Sequence, residues 1–138
     1  MTELDGVLFK EIVEQALREF PNESCGVVAT DGDGRPVKVF PARNIDASAA
    51  TYRVDPRDLM RILDELDVEG WSVWAFYHSH THSEAYPSKT DRKEAIHAQD
   101  WFPSVRYLIL SLTDRGQPEL RSFFMSDGNV EEDEVAIV

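Results

Sequence analysis

The chain has one cysteine, Cys25, in 138 residues, so no internal disulfide can staple it. It has no long apolar run: nothing approaches the ~20 residues that cross a bilayer. The opening residues, MTELDGVLFKEIVEQ, lack a basic cluster followed by an apolar stretch, so they do not read as a signal peptide. Positive charge is scarce as well. Lys and Arg number 14 against 26 Asp and Glu, a net charge of −12. Such a chain repels phosphate backbones, which argues against a nucleic-acid partner. These absences predict an acidic, soluble, cytoplasmic protein with no membrane or nucleic-acid partner. The length suits one domain spanning 1–138. A domain of that size buries roughly two-thirds of its unfolded surface. It needs no metal to fold, so a bound metal would serve chemistry.

What is present is a regular alternation of elements. Residues 7–20 put Leu8, Ile12, Val13, Ala16, Leu17 and Phe20 at helical spacing, and Pro21 stops the run. CGVVAT and PVKVF flank the turn DGDG, which predicts a hairpin. After the polar stretch ARNIDASAA, TYRV reads as a short extended piece. Asp55 and Pro56 then open a second helix with Leu59, Ile62, Leu63 and Leu66 on its buried stripe. WSVWAFYHSH is an aromatic-rich strand, with Trp71, Trp74 and Phe76 expected in the core. SKTDRKEAIHAQ is helical, with His97 on its exposed face. VRYLILSL has the near-continuous apolar character of a strand covered on both faces. ELRSFFMS and NVEEDEVAIV supply one or two further extended pieces, with EEDE at 131–134 a solvated patch. The order predicts an α/β fold, a mixed β-sheet flanked by helices.

Three of the four histidines fall within residues 78–82. In a strand, His78 and His80 face the same side and present two imidazoles past the strand end. Imidazole suits zinc, and Asp91 is placed to add a carboxylate if the loop folds back. A His-x-His pair alone does not make a metal site. Ser88 and Asp91 also spell a capping box, in which both merely start a helix. Spacing leaves the two readings open. Glu23 precedes Cys25 and reads either as a proton acceptor for a bound water or as a surface glutamate. Cys25 itself, on an apolar strand, reads as buried filler. His82 is expected to be solvated in the loop, and Tyr86, in the same loop, to contact a substrate.

Taken together, His78-Ser79-His80, ten residues, then Asp91, with Ser88 three before it and Glu23 upstream in NESCGVV, resemble the JAMM motif of MPN-domain metalloproteases. PARNIDASAATYRVDP resembles the segment that such proteins carry before their second helix. The loop HSHT…EAYPSKTD is most similar to that of the small prokaryotic Mec-type members. One departure is Thr81, where many relatives have proline after the second histidine.

The resemblance implies a JAMM/MPN-like fold of cytidine-deaminase-like architecture. It implies Zn2+ held by His78, His80 and Asp91, Glu23 as general base, and Ser88 as hydrogen-bond donor to the oxyanion. It implies a peptidase that removes an amino acid, cysteine, from the Gly-Gly tail of a ubiquitin-like sulfur-carrier protein of the CysO type. That tail is expected to lie extended, added to a sheet edge. Two alternatives remain: hydrolysis of isopeptide-linked ubiquitin-like conjugates or small peptides, and a non-catalytic MPN scaffold.

Overall fold

The computed structural model describes residues 2–138. In chain order the elements are β1 (Thr2–Leu4), α1 (Gly6–Glu19), β2 (Cys25–Thr30), β3 (Pro36–Ala42), α2 (Pro56–Glu69), β4 (Ser72–His80), α3 (Lys89–Ala98), β5 (Arg106–Ser111), β6 (Glu119–Ser126), β7 (Asn129–Glu132) and β8 (Val135–Ile137). Six strands form one sheet in the order β3-β2-β4-β5-β6-β7. β4 and β5 pair in parallel, joined by α3, and the other pairs are antiparallel. Among the described residues, no helix is long and apolar enough to cross a membrane.

Local chemistry sets the helix ends. The Asp5 carboxylate accepts the Val7 N–H at 2.7 Å and starts α1. Asp55 does the same for Arg57 at 2.8 Å, with Pro56 at the first helical position of α2. α2 stops at Gly70, whose φ of 73° is the left-handed conformation that glycine adopts without cost.

α1 covers one face of the sheet. Leu8, Ile12 and Ala16 pack there against Val28, Ala75, Tyr77, Leu108 and Leu110. α2 and α3 cover the other face, where Ile62, Leu66 and Ala95 pack against Cys25, Val27, Phe76 and Tyr107. β4 therefore sends alternate side chains to two different environments. A register shift opposite Val28 and Ala29 breaks the alternation early in the strand. Trp74 consequently joins Ala75 in the α1-side cluster.

The elements follow the sequence expectation, with four differences. β1 was not anticipated: it is a three-residue strand, too short to signal itself, and it pairs in parallel with β8, which lies inside the expected extended piece NVEEDEVAIV. Leu17 is exposed, because the α1 stripe facing the sheet is narrower than its apolar spacing suggests. Trp71 is only half-buried, whereas Trp74 and Phe76 are in the core. The acidic run 131–134 is only in part a solvated patch. Glu132 clasps Arg121 at 2.7 and 3.0 Å, and Asp133 approaches Arg106 at 3.5 Å.

Candidate metal centre

His78 and His80 lie on β4 with Phe76, facing α2 and α3. The parallel neighbour β5 and the crossover through α3 return the chain above the end of β4. The first turn of α3 is fixed by Ser88. Its hydroxyl oxygen accepts the Asp91 N–H at 3.0 Å, and its own N–H donates to Asp91 Oδ2 at 2.9 Å. The capping box is therefore real, and it holds Asp91 buried over the two rings. The two sequence readings are one structure: the cap is what aims the carboxylate.

The donor atoms converge. His78 Nε2 and His80 Nε2 are 3.1 Å apart, and Asp91 Oδ2 is 3.1 Å from the first and 3.0 Å from the second. All three side chains are buried, and they form a group able to hold a metal ion. Donors around one tetrahedral ion, at bonds of about 2.0–2.1 Å, stand roughly 3.3 Å from one another. The arrangement fits a single divalent ion.

The proton positions agree. His80 Nδ1 lies 2.7 Å from the Glu84 carbonyl oxygen, which can only accept. Nδ1 therefore carries the hydrogen, and the Nε2 lone pair faces the centre. His78 has no such partner: its buried Nδ1 is unpaired among the described residues. Its ring is instead stacked on Tyr52, with centroids 4.2 Å apart and planes 18° from parallel.

The charges follow from burial and contact. Burial alone would raise the Asp91 carboxyl, but the close His78 and His80 rings and the hydrogen bond from the Ser88 N–H hold it well below the usual carboxylate range. Burial pushes His78 down. Burial acts the same way on His80, but Asp91 and the Glu84 carbonyl outweigh it and raise that ring.

Glu23 enters from β2. Cys25 pairs with His78, and the Ser79 N–H donates to the Ser24 carbonyl at 3.0 Å, so the register carries Glu23 opposite His80. Its alternation with Cys25 turns it to the same face. Burial pushes the Glu23 carboxyl up to about 8, with His80 lowering it and Asp91 raising it. A cation between the three donors would pull it back down.

Three positioning residues escaped the sequence reading. Ser79 is fully buried on the opposite face of β4, where its hydroxyl accepts the Ser24 N–H at 2.8 Å. Asn44 is a buried hub. It donates to the Glu23 carbonyl at 3.0 Å and to the Thr51 carbonyl at 3.1 Å. It also accepts from the N–H groups of Asp46 and Arg53, both at 3.0 Å. Tyr52, on the loop that Asn44 shapes, backs His78. A serine between two histidines and an asparagine in a polar stretch carry no local signal; only pairing reveals them.

The remaining candidates are placed as follows. Tyr86 is partly exposed and packs edge-on against Phe123 at 5.5 Å. His82 and His97 are exposed. Cys25 is fully buried, and burial pushes its thiol up to about 12, which leaves it no nucleophilic role.

The family described as prokaryotic homologs of the JAB domain matches residues 6–126. A CysO-cysteine peptidase of Mycobacterium tuberculosis is 36% identical over 132 residues, covering 95% of this chain and 87% of that protein. A Thermus thermophilus protein described as a probable TtuB-protein conjugate cleaving protease is also 36% identical over 132 residues, covering 95% and 78%. The solution structure of a Desulfitobacterium hafniense protein superposes with a TM-score of 0.87 at 30% identity, covering 100% of this chain and 93% of that one. With its two histidines and aspartate gathered on one face, the chain belongs to the prokaryotic JAB (JAMM) domain family and is a metallopeptidase of that type.

Proposed function

We propose that this protein hydrolyses the amide bond between the C-terminus of a ubiquitin-like sulfur-carrier protein and an attached amino acid, cysteine, with zinc as the ion. The observation that carries the chemistry is the convergence of three donor atoms at 3.0–3.1 Å with Glu23 opposite His80 on the same face. Zinc bound there supplies a Lewis acid and an acidified water. Glu23 takes the proton of the attacking water and hands it to the departing amine. The Ser88 hydroxyl accepts from Asp91 N–H, which leaves its own hydrogen free to donate to the oxyanion. The narrower substrate reading draws on the 36% identity to the mycobacterial CysO-cysteine peptidase. We read 1–138 as one domain carrying this activity.

β4 has β2 and β5 on either side, so no free sheet edge adjoins the histidines. The carrier tail is better placed in a groove of about 240 Å³ between α2 and α3, which Tyr52, Phe76, Phe102 and Tyr107 line. Tyr52 joins that groove to His78. The equal identity to the Thermus conjugate-cleaving protease supports a second reading, cleavage of isopeptide-linked conjugates.

Glu23→Gln tests the mechanism. Stoichiometric zinc should stay bound while kcat on a carrier–cysteine conjugate falls about 10²–10⁴-fold, read by intact mass. Full hydrolytic activity in that variant removes Glu23 from the reaction.

A further inference from the structure

The two rings of the metal centre are held by different means, and their neighbours on β5 set the difference. β4 and β5 run in parallel, with His78 paired to Ile109 and His80 to Ser111. Paired residues of a sheet point to the same face. His78 therefore stands beside an apolar side chain, and its Nδ1 has no partner among the described residues. His80 stands beside a buried hydroxyl.

Both members of that second pair donate to one loop. His80 Nδ1 donates to the Glu84 carbonyl at 2.7 Å, and the Ser111 hydroxyl donates to the Ser83 carbonyl at 2.7 Å. Two side chains on adjacent strands thus grip consecutive carbonyls. Among the described residues, these are the hydrogen bonds that reach Ser83 and Glu84 from outside the loop 81–87. The side chains of His82, Ser83 and Glu84 are exposed, so packing does not hold the stretch. The loop is anchored on either side of it. Thr81 donates to the Ala49 carbonyl at 3.1 Å, and Ala85 is buried with Ile109 and Phe123.

The direction of the Ser111 bond is fixed. A carbonyl oxygen can only accept, so the single Ser111 hydroxyl hydrogen is committed to Ser83. Its oxygen then accepts from the Thr113 hydroxyl at 3.1 Å. Peptide units are planar, so only the two backbone rotations of Glu84 separate the Ser83 carbonyl from the Glu84 carbonyl. Fixing the first restricts the second. The second is the acceptor that keeps the hydrogen on His80 Nδ1 and leaves the Nε2 lone pair facing the centre.

We propose that Ser111 is a positioning residue of the metal centre: by gripping the Ser83 carbonyl it aims the Glu84 carbonyl at His80 and fixes the tautomer and angle of that ring. It acts through His80 and touches neither the ion nor a substrate. The inference rests on the metal centre and is independent of which conjugate is cleaved.

Ser111→Ala removes the grip. In the metal-free protein the His80 Nδ1–H proton should exchange with water faster than in the wild type, and the His80 ring nitrogen shifts should move toward a mixture of tautomers. The His78 ring shifts should stay where they are. Zinc affinity, read by competition with a chelator, should fall about 10-fold, as when a ligand loses its outer partner. Ser111→Thr, which keeps the hydroxyl, should restore both readouts. Ser122→Ala deletes a buried hydroxyl that has no partner from the neighbouring strand β6, and should change neither.

Unchanged His80 shifts and unchanged zinc affinity in Ser111→Ala overturn the assignment. Equal changes at His78 and His80, or a loss of far-UV circular dichroism, also overturn it, since they mark a merely structural serine. So does a weakening of zinc that Ser111→Thr leaves in place or that Ser122→Ala reproduces. A wild-type protein that takes up no zinc defeats the metal reading itself, and the His80 resonances of the metal-free protein then decide the role of Ser111.

Discussion

The two faces of β4 divide the work of the molecule. On the α1 side, Tyr77 donates its hydroxyl proton to Gln15 Oε1, and Gln15 Nε2 donates to the Cys25 carbonyl at 2.9 Å. Ser79 pins Ser24 on the same side. These polar groups have their partners inside the protein, and they serve structure. On the other side, His78 and His80 point three electron-rich atoms at one another with Asp91, and Glu23 has its ionisation pushed away from normal. One strand thus carries a satisfied network and a frustrated one. The satisfied face holds the frustrated one still. Gln15, Ser24 and Ser79 fix the start of β2, and that start sets where Glu23 stands.

Breaking the frustrated face should cost function and spare the fold. His80→Ala should lose the bound ion and drop turnover to background, with metal content read by mass spectrometry and an unchanged far-UV circular dichroism spectrum. Ser88→Ala should lower kcat about 10²–10³-fold, the usual loss for one oxyanion donor. It should also cost about 1 kcal/mol through the missing cap. Ser88→Asp separates the two effects: the cap returns and the rate does not.

The metal-free protein offers a sharper test of the frustration. Glu23 titrates at about 8 when folded against an ordinary 4.5. Between those values the folded chain holds a proton that the unfolded chain has shed. The stability linked to this group is therefore fully present below pH 4.5 and is lost as pH rises to about 8. The loss runs at about 1.4 kcal/mol per pH unit. Glu23→Gln should raise the melting temperature of the metal-free protein at pH 8 by the equivalent of a few kcal/mol, and leave it unchanged at pH 4. A stabilisation that does not depend on pH would mean Glu23 is not desolvated.

The satisfied face should respond in the opposite sense. A Cβ on Gly26 would fall inside van der Waals contact with the Tyr77 ring and the Phe40 carbonyl. Gly26→Ala should cost about 1–3 kcal/mol in denaturant unfolding. Tyr77→Phe should cost a similar amount by leaving Gln15 Oε1 without its donor. Zinc affinity should hold in both. A variant that unfolds little but loses its metal would erase the division between the faces.

Much of this was legible along the chain. Helix spacing, the Asp55-Pro56 start, the DGDG turn and the apolar β5 run are local signals, because each depends on neighbours within a few positions. The histidine pair was legible for the same reason, since a strand alternates with a period of two. The short β1 was not, because three residues carry no periodicity and exist as a strand only by pairing with β8 across the whole chain. Asn44 and Ser79 were hidden for a related reason. Their partners are 21 and 55 residues away for Glu23 and Ser24 respectively.

The amino-acid order by itself determined which groups could do chemistry here: two imidazoles one strand-repeat apart, a carboxylate aimed by its own helix cap, and an acidic chain with no disulfide. Tertiary structure alone decided that they meet. Only the pairing of β2 with β4 brings Glu23 opposite His80, and only the α3 crossover lays Asp91 over both rings. The physical reason is range. Caps and alternation act over one turn or one repeat, whereas a metal centre is assembled from segments whose closeness is set by burying both faces of a shared sheet.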